Sequence, residues 1–217
     1  MGARMRQEMR VLVGVAALMG TSAIATAQQA PRAVVKRVAD DPVTAAPAGA
    51  WRAAGDGALT DVRSQGPGTR IAATGNRTVV APLPPVSGTY TIRAMFQRLA
   101  VSSTPYGFAL GCSDTGCALT VLLRSDGAVA VQRPGAEAKT EWTAGAPMRE
   151  MPETPDQLEV RVEATAATIL VNGQSVLVAP IAVGEADGSP GLFVATGADV
   201  LVTALTIEQA AGPERAK

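Results

Sequence analysis

The chain has 217 residues, 19 basic and 19 acidic side chains, and no histidine. A balance this close to neutral leaves no electrostatic footprint for DNA, RNA or anionic lipid. Without imidazole there is no Ser-His-Asp triad, no Cys-His pair and no His-ligated metal, and the commonest general acid–base is missing.

The first 27 residues read as an export signal. Arg4, Arg6 and Arg10 make a positive start, residues 11–25 are weakly apolar, and Ala25-Thr26-Ala27 is a small-x-small cleavage site, so the mature chain is expected to begin at Gln28. An uncleaved anchor needs about 20 strongly apolar residues, and Gly14, Gly20, Thr21 and Ser22 dilute this run. Removing the signal takes away three arginines and one glutamate, which leaves 16 basic and 18 acidic residues and a net charge of −2. With an Ala, Gly and Arg bias of bacterial type, the expected location is the periplasm or outside the cell, with no membrane span in the mature chain.

Residues 28–49 are rich in Ala, Pro and Val and read as a tether with a short strand at 33–38. Residues 50–208 read as one sandwich domain and 209–217 as a tail. Strands are predicted at 69–74, 77–81, 89–98, 106–112, 117–124, 128–132, 158–164, 168–171, 175–181, 191–196 and 200–208, separated by turn residues such as Gly75-Asn76, Pro84-Pro85, Asp126-Gly127 and Asp187-Gly188. Residues 156–181 carry the clearest pattern. Leu158, Val160 and Val162 alternate with Glu159, Arg161 and Glu163, then Ile169 and Val171 lead into Asn172-Gly173, and Val176 and Val178 resume the alternation. Alternation sends one set of side chains to a core and the other to water, and Asn-Gly supplies the positive-φ pair of a tight hairpin. No stretch holds a helical period. The fold class is therefore all-β, a two-sheet antiparallel sandwich.

The same parity places Tyr90, Ile92, Ala94 and Phe96 on one face and Thr91, Arg93, Met95 and Gln97 on the other. Tyr106, Phe108 and Leu110 oppose a face of small residues, Gly107, Ala109 and Gly111. The strand bearing Leu119, Val121 and Leu123 is apolar on both faces and is expected to lie centrally. Only seven aromatics are present, so Ala, Val and Leu must fill most of the interior.

Cys112 and Cys117 bracket four residues between two predicted strands. Facing residues of an antiparallel pair lie within disulfide range, and export favours oxidation. A structural staple is the expected role; a redox-active pair lacks the Cys-x-x-Cys spacing. Glu159 and Glu163 share a strand face about 13 Å apart, which fits neither the retaining nor the inverting glycosidase separation; a charged outer face neutralised by Arg161 is the plainer reading. Trp142, in "KTEWTAGAP", either stacks on a sugar ring or packs between the sheets. Asp114, Asp126, Asp187 and Asp199 are loop carboxylates of the kind that hold calcium, although Asp-Gly turn chemistry accounts for two of them without a metal, and no metal or other cofactor is assigned. Asn76-Arg77-Thr78 matches the N-glycosylation pattern and reads as a turn.

Four segments together resemble the concanavalin A-like (laminin G-like) lectin/glucanase superfamily, in particular bacterial exported domains similar to family 16 glycoside hydrolases. They are "DDPVTAAPAGAW" at 40–51, "GTYTIRAMFQRLAVSSTPYGFALGC" at 88–112, "LLRSDGAVAVQR" at 122–133, and "LEVRVEATAATILVNGQSV" with "GLFVATGADVLVTALTIE" within 158–208. The resemblance implies a jelly-roll sandwich whose concave face binds a glycan or another envelope ligand. Catalytic members of family 16 carry a Glu-x-Asp-x-(x)-Glu strand, and the nearest match here, Glu159-Val160-Arg161-Val162-Glu163, has Arg where Asp is required. The expected function is a non-catalytic binding module with a glycan or cell-envelope component as partner, its ligand-binding candidates being Trp142, Arg93, Arg124 and Gln132. The alternatives are an atypical glycosidase or lyase using carboxylates from separate strands, and a structural or protein-binding domain of the envelope.

Overall fold

The computed structural model describes residues 35–40, 52–54, 61–73, 78–100, 102–113, 116–134, 140–151 and 153–210. The stretch read as an export signal, most of the stretch read as a tether, Trp51, Asn76, Asp114 and residues 211–217 lie outside these residues. Among the described residues every regular element is a strand.

Two antiparallel sheets face each other. The strands of the first, in chain order, are β1 (Val35–Asp40), β3 (Asp61–Gln65), β4 (Gly68–Ala72), β6 (Tyr90–Arg98), β10 (Asp156–Val162), β11 (Ala166–Val171), β12 (Gln174–Pro180) and β14 (Asp199–Ala210). Their order in space is β12-β11-β10-β6-β14-β4-β3, with β1 also paired to β14. The second sheet holds β2 (Arg52–Ala54), β5 (Thr78–Pro82), β7 (Tyr106–Ser113), β8 (Gly116–Leu123), β9 (Val129–Gln132) and β13 (Ser189–Val194), in the order β2-β5-β13-β7-β8-β9. Strands distant in sequence are neighbours in space: β6 lies between β10 and β14, and β7 between β13 and β8.

Alternation is realised as predicted. In β6 the buried set is Tyr90, Ile92, Ala94 and Phe96, and β10 buries Leu158, Val160 and Val162 against it. The facing sheet contributes Phe108, Leu110, Leu119, Val121, Leu123 and Leu192. Phe96 bridges the layers, its ring 5.2 Å from Tyr106 and 5.6 Å, edge-on, from Phe108. Each such side chain contributes about 1.5–3 kcal/mol through burial, so a core of Ile, Leu and Val with four large rings suffices. Asn172 and Gly173 take φ of 50° and 82°, the mirror-image turn that Asn-Gly favours.

Four details differ from the sequence expectation. Val178, expected to face the core with Val176, is 58% exposed and Ala179 is buried instead, because the pairing of β11 with β12 shifts register between Ile169 and Leu170. Strands β2 and β3 went unpredicted, because "RAA" and "DVRSQ" offer no apolar alternation. The short strand expected at 33–38 is Val35–Asp40, hydrogen-bonded to β14 within the stretch read as a tether. Strand β8 is flanked by β7 and β9 and sits one place from the sheet edge; its second apolar face is Leu122, buried beside Ala130 of β9.

Candidate functional site

Register brings two polar rows together on the outer face of the eight-stranded sheet. Glu159 of β10, Arg93 of β6 and Thr206 of β14 are successive cross-strand partners. One step along, Arg161, Thr91 and Glu208 form the next row. Their strand neighbours are the core residues Leu158, Val160, Ile92 and Ile207, so alternation forces these six outward.

Hydrogen bonds fix the planes of the charged groups. Arg93 Nε donates to Thr206 Oγ1 at 2.9 Å and its Nη2 to Glu208 Oε1 at 2.7 Å. Arg161 Nε donates to Glu159 Oε1 at 2.6 Å. The Glu159 side chain is only 10% exposed, while Arg161 lies over it at 55%. The predicted neutralised outer face is thus present. A guanidinium pinned by two acceptors keeps further N–H donors in a known plane, and the carboxylate of Glu159, bonded through Oε1 to Arg161, is held in a fixed plane as an acceptor. Adjacent donors and acceptors in fixed planes suit paired hydroxyl groups of a polyol.

Arg124 and Trp142 meet elsewhere. The Arg124 guanidinium carbon lies 4.9 Å from the centroid of the Trp142 ring, within cation–π range. Arg124 is also ion-paired to Asp126, whose Oδ1 accepts the Ala128 N–H at 3.1 Å. Burial pushes the Asp126 carboxyl upward, but the hydrogen bonds from Arg124 and Ala128 outweigh it, and its pKa falls below the ordinary value. Trp142 is delivered by its neighbour Thr143, which exchanges two 2.8 Å backbone hydrogen bonds with Val129 at the start of β9. It is half-buried and lies outside the central core, so the reading of an inter-sheet tryptophan does not apply; one of its faces is taken by Arg124.

Gln132 is exposed on β9, opposite Thr120. Four residues at about 3.3 Å each separate that row from Arg124. Arg93 belongs to the other sheet. The four ligand-binding candidates therefore form one close pair, Arg124 with Trp142, and two separate residues. Sequence reasoning missed Thr206 and Glu208. The signal that could have found them is parity in β14, but a bulge between Thr203 and Thr206, with Ala204 at φ 49°, shifts the count by one residue.

Cys112 and Cys117 are bonded and are register partners across β7 and β8. The carboxylates read as loop groups are dispersed, and Asp199 is the first residue of β14 rather than a loop residue. Asp187 accepts the Gly88 N–H, Asp199 pairs with Arg70 at 2.5 Å and Asp126 pairs with Arg124. Among the described residues no three His, Cys, Asp or Glu side chains gather at a metal-binding distance.

No protein-family profile matches the sequence, and no curated protein matches it significantly. Solved structures do match in shape. A carbohydrate-binding module of type CBM66 from Bacillus subtilis superposes with a TM-score of 0.55 at 15% identity, over 74% of this chain and 96% of that one. A Bacillus subtilis protein of unknown function with a galectin-like fold gives 0.60 at 11% identity, over 81% and 98%. The carbohydrate recognition domain of Emp46p, in its metal-free form, gives 0.50 at 12% identity, over 73% and 88%. At such identities the likeness defines the fold alone: this chain is a two-sheet antiparallel β-sandwich of jelly-roll type, similar in shape to a galectin-like fold.

Proposed function

We propose that this sandwich is a non-catalytic glycan-binding module and that its ligand lies across Arg93, Thr206, Glu208, Glu159 and Arg161. One observation carries the reading: two arginine–carboxylate hydrogen-bond sets hold alternating donors and acceptors in fixed planes on three adjacent strands. Two of the structures that share the fold are themselves named for carbohydrate binding or recognition. The export signal in residues 1–27 supports a periplasmic or secreted location, where envelope or external glycan is the available partner. Likeness to family 16 glycoside hydrolases is part of the same proposal at the level of fold, since the acidic triplet of the catalytic members has no counterpart in this sequence.

The test is a glycan array probed with the oxidised chain, followed by titration of the best ligand against Arg93→Ala, Glu159→Gln and Trp142→Ala. A hydrogen bond to a charged group is worth about 1.5–3 kcal/mol, so Arg93→Ala is expected to weaken binding about 10- to 100-fold. Trp142→Ala is expected to leave affinity within about threefold, because Trp142 is on the other sheet's side. A reversed ranking would move the site to the Arg124–Trp142 pair. An array without saturable binding would sink the glycan reading, and cleaved sugar would overturn the non-catalytic one.

A further inference from the structure

At one end of the sandwich lies a polar cluster that the glycan face does not use. Asp156, at the start of β10, is wholly buried. Its Oδ1 is fully engaged, accepting the Arg149 N–H at 2.8 Å and the Asn172 Nδ2 at 2.8 Å. Its Oδ2 has no hydrogen-bond partner, and its nearest cation, Arg98 Nη2, stands off at 3.8 Å, beyond hydrogen-bonding range. Arg98 Nε and Tyr106 Oη are likewise buried and without partners. Tyr106 senses both neighbours. After burial itself, the Asp156 carboxylate is the largest influence raising its pKa, and Arg98 works against it.

Three buried polar atoms of complementary kind in one neighbourhood are rare in native interiors, where nearly all such atoms find a protein or water partner. We propose that Asp156 Oδ2, Arg98 Nε and Tyr106 Oη share one bound water molecule. It accepts from the Arg98 Nε–H and the Tyr106 hydroxyl and donates to Asp156 Oδ2, three bonds being the usual number for an internal water. A metal cation is opposed there by the guanidinium, and an anion by the carboxylate, so a neutral molecule of both donor and acceptor character is the species that fits.

The site is the centre of a clasp. Arg98 Nη2 donates to Arg149 O at 3.0 Å and Nη1 to Ser125 O at 3.4 Å, while Asn172 Nδ2 donates to Pro147 O at 2.7 Å. The end of β6, the turn before β9, the β11–β12 turn and the 147–149 segment are thereby tied to the base of β10. This assignment is independent of the glycan proposal.

Tyr106→Phe in the full chain tests it by sign. A phenol hydroxyl buried with no partner is unfavourable, so its removal would leave the folded-to-unfolded ratio unchanged or raise it. A water-bridged hydroxyl loses a bond, and the ratio is expected to fall about five- to tenfold in urea unfolding. A crystal structure at better than about 2 Å is expected to show a solvent peak in contact with all three atoms. Pairing the change with Asp156→Asn should give strong non-additivity; should that variant fail to fold, Tyr106→Phe and the density still decide. A neutral or stabilising Tyr106→Phe would overturn the assignment. So would density in which Tyr106 bonds Asp156 directly.

Discussion

Gly111 and Gly173 share a left-handed backbone, with φ of 61° and 82°, but not a neighbourhood. A Cβ at Gly173 would meet nothing within 4 Å, whereas one at Gly111 would sit 2.4 Å from the Glu185 carbonyl oxygen and 3.1 Å from Ala118 Cβ. The conformational penalty of a Cβ at positive φ is about 1–2 kcal/mol and applies to both. Relieving a 2.4 Å contact with backbone requires a shift of most of an ångström, an overpacking cost of about 1–3 kcal/mol more. Gly173→Ala is therefore expected to destabilise by about 1–2 kcal/mol and Gly111→Ala by about 2–5 kcal/mol. Urea unfolding followed by circular dichroism reads the difference as a midpoint shift at unchanged slope. For a domain of this size the Gly111 variant should melt roughly 6–15 °C lower. Equal losses at the two positions would refute the reasoning, because the contacts with the 182–188 loop and with Ala118 are what separate them.

Other consequences can be checked with equal economy. Replacing Cys112 and Cys117 by Ser opens a loop with a sequence separation of 5, and the chain-entropy relation gives a loss of about 2 kcal/mol; guanidinium unfolding with and without reductant measures it, and an unmoved midpoint would remove the staple role. The chain's two tyrosines, Tyr90 and Tyr106, are both buried, and burial raises both phenols above their ordinary range, with Asp187 adding to the effect at Tyr90 and Asp156 at Tyr106. A raised folded-state pKa means that the stabilisation is complete below about pH 10 and is lost as pH climbs beyond it; absorbance at tyrosinate wavelengths should stay flat through that range and rise only with unfolding, and an ordinary titration in the folded protein would contradict the burial. The Tyr90 hydroxyl donates to Ala186 O at 2.9 Å, so Tyr90→Phe should cost about 1 kcal/mol. Glu185 is held below the ordinary glutamate range by its hydrogen bond from Arg133 and by the Ala182 N–H. A depressed folded-state pKa stabilises above the unfolded value and fades as pH falls through the folded one. Glu185→Gln should flatten the acid limb below about pH 4.5 by a small amount, since Arg133 is half-exposed; an unchanged limb would show that the pair contributes nothing.

Much of the architecture was legible because burial leaves a period of two in the sequence. Residues 156–181 declared three strands and the Asn-Gly turn, and β10 and β11 bury the faces read as inner, whereas the register shift opposite β12 leaves Val178 exposed and buries Ala179. The Cys112–Cys117 pairing followed from their bracketing of a hairpin. Pairing order did not, since β6 lies between strands 60 residues later and more than 100 residues later in the chain, and a local pattern holds no information on partners so distant. Site residues were legible only where parity held. Arg93 was placed outward correctly, whereas Glu208 and Thr206 lay beyond the bulge at Ala204, where counting by twos fails. The contact between Arg124 and Trp142 crosses 18 positions and depends on Thr143 bridging to Val129. Asp156, following Pro155, carried no signal of its burial in the sequence; only the fold reveals that a loop is tied over it.

Strand β14 pairs along one side with β6 and along the other first with β4 and then with β1. The earliest described strand and the latest are thus hydrogen-bonded neighbours, and β14 is the piece that joins β1, β4 and β6 into one layer. Such closure over nearly the whole chain is entropically late and slow. A nascent chain emerging from the ribosome would complete its larger sheet only after Ala210 is released, so its hairpins would wait as open edges until then. Truncation after β13 should accordingly abolish the cooperative unit instead of trimming it, and the 12 residues of β14 would govern when, as well as whether, the two layers meet.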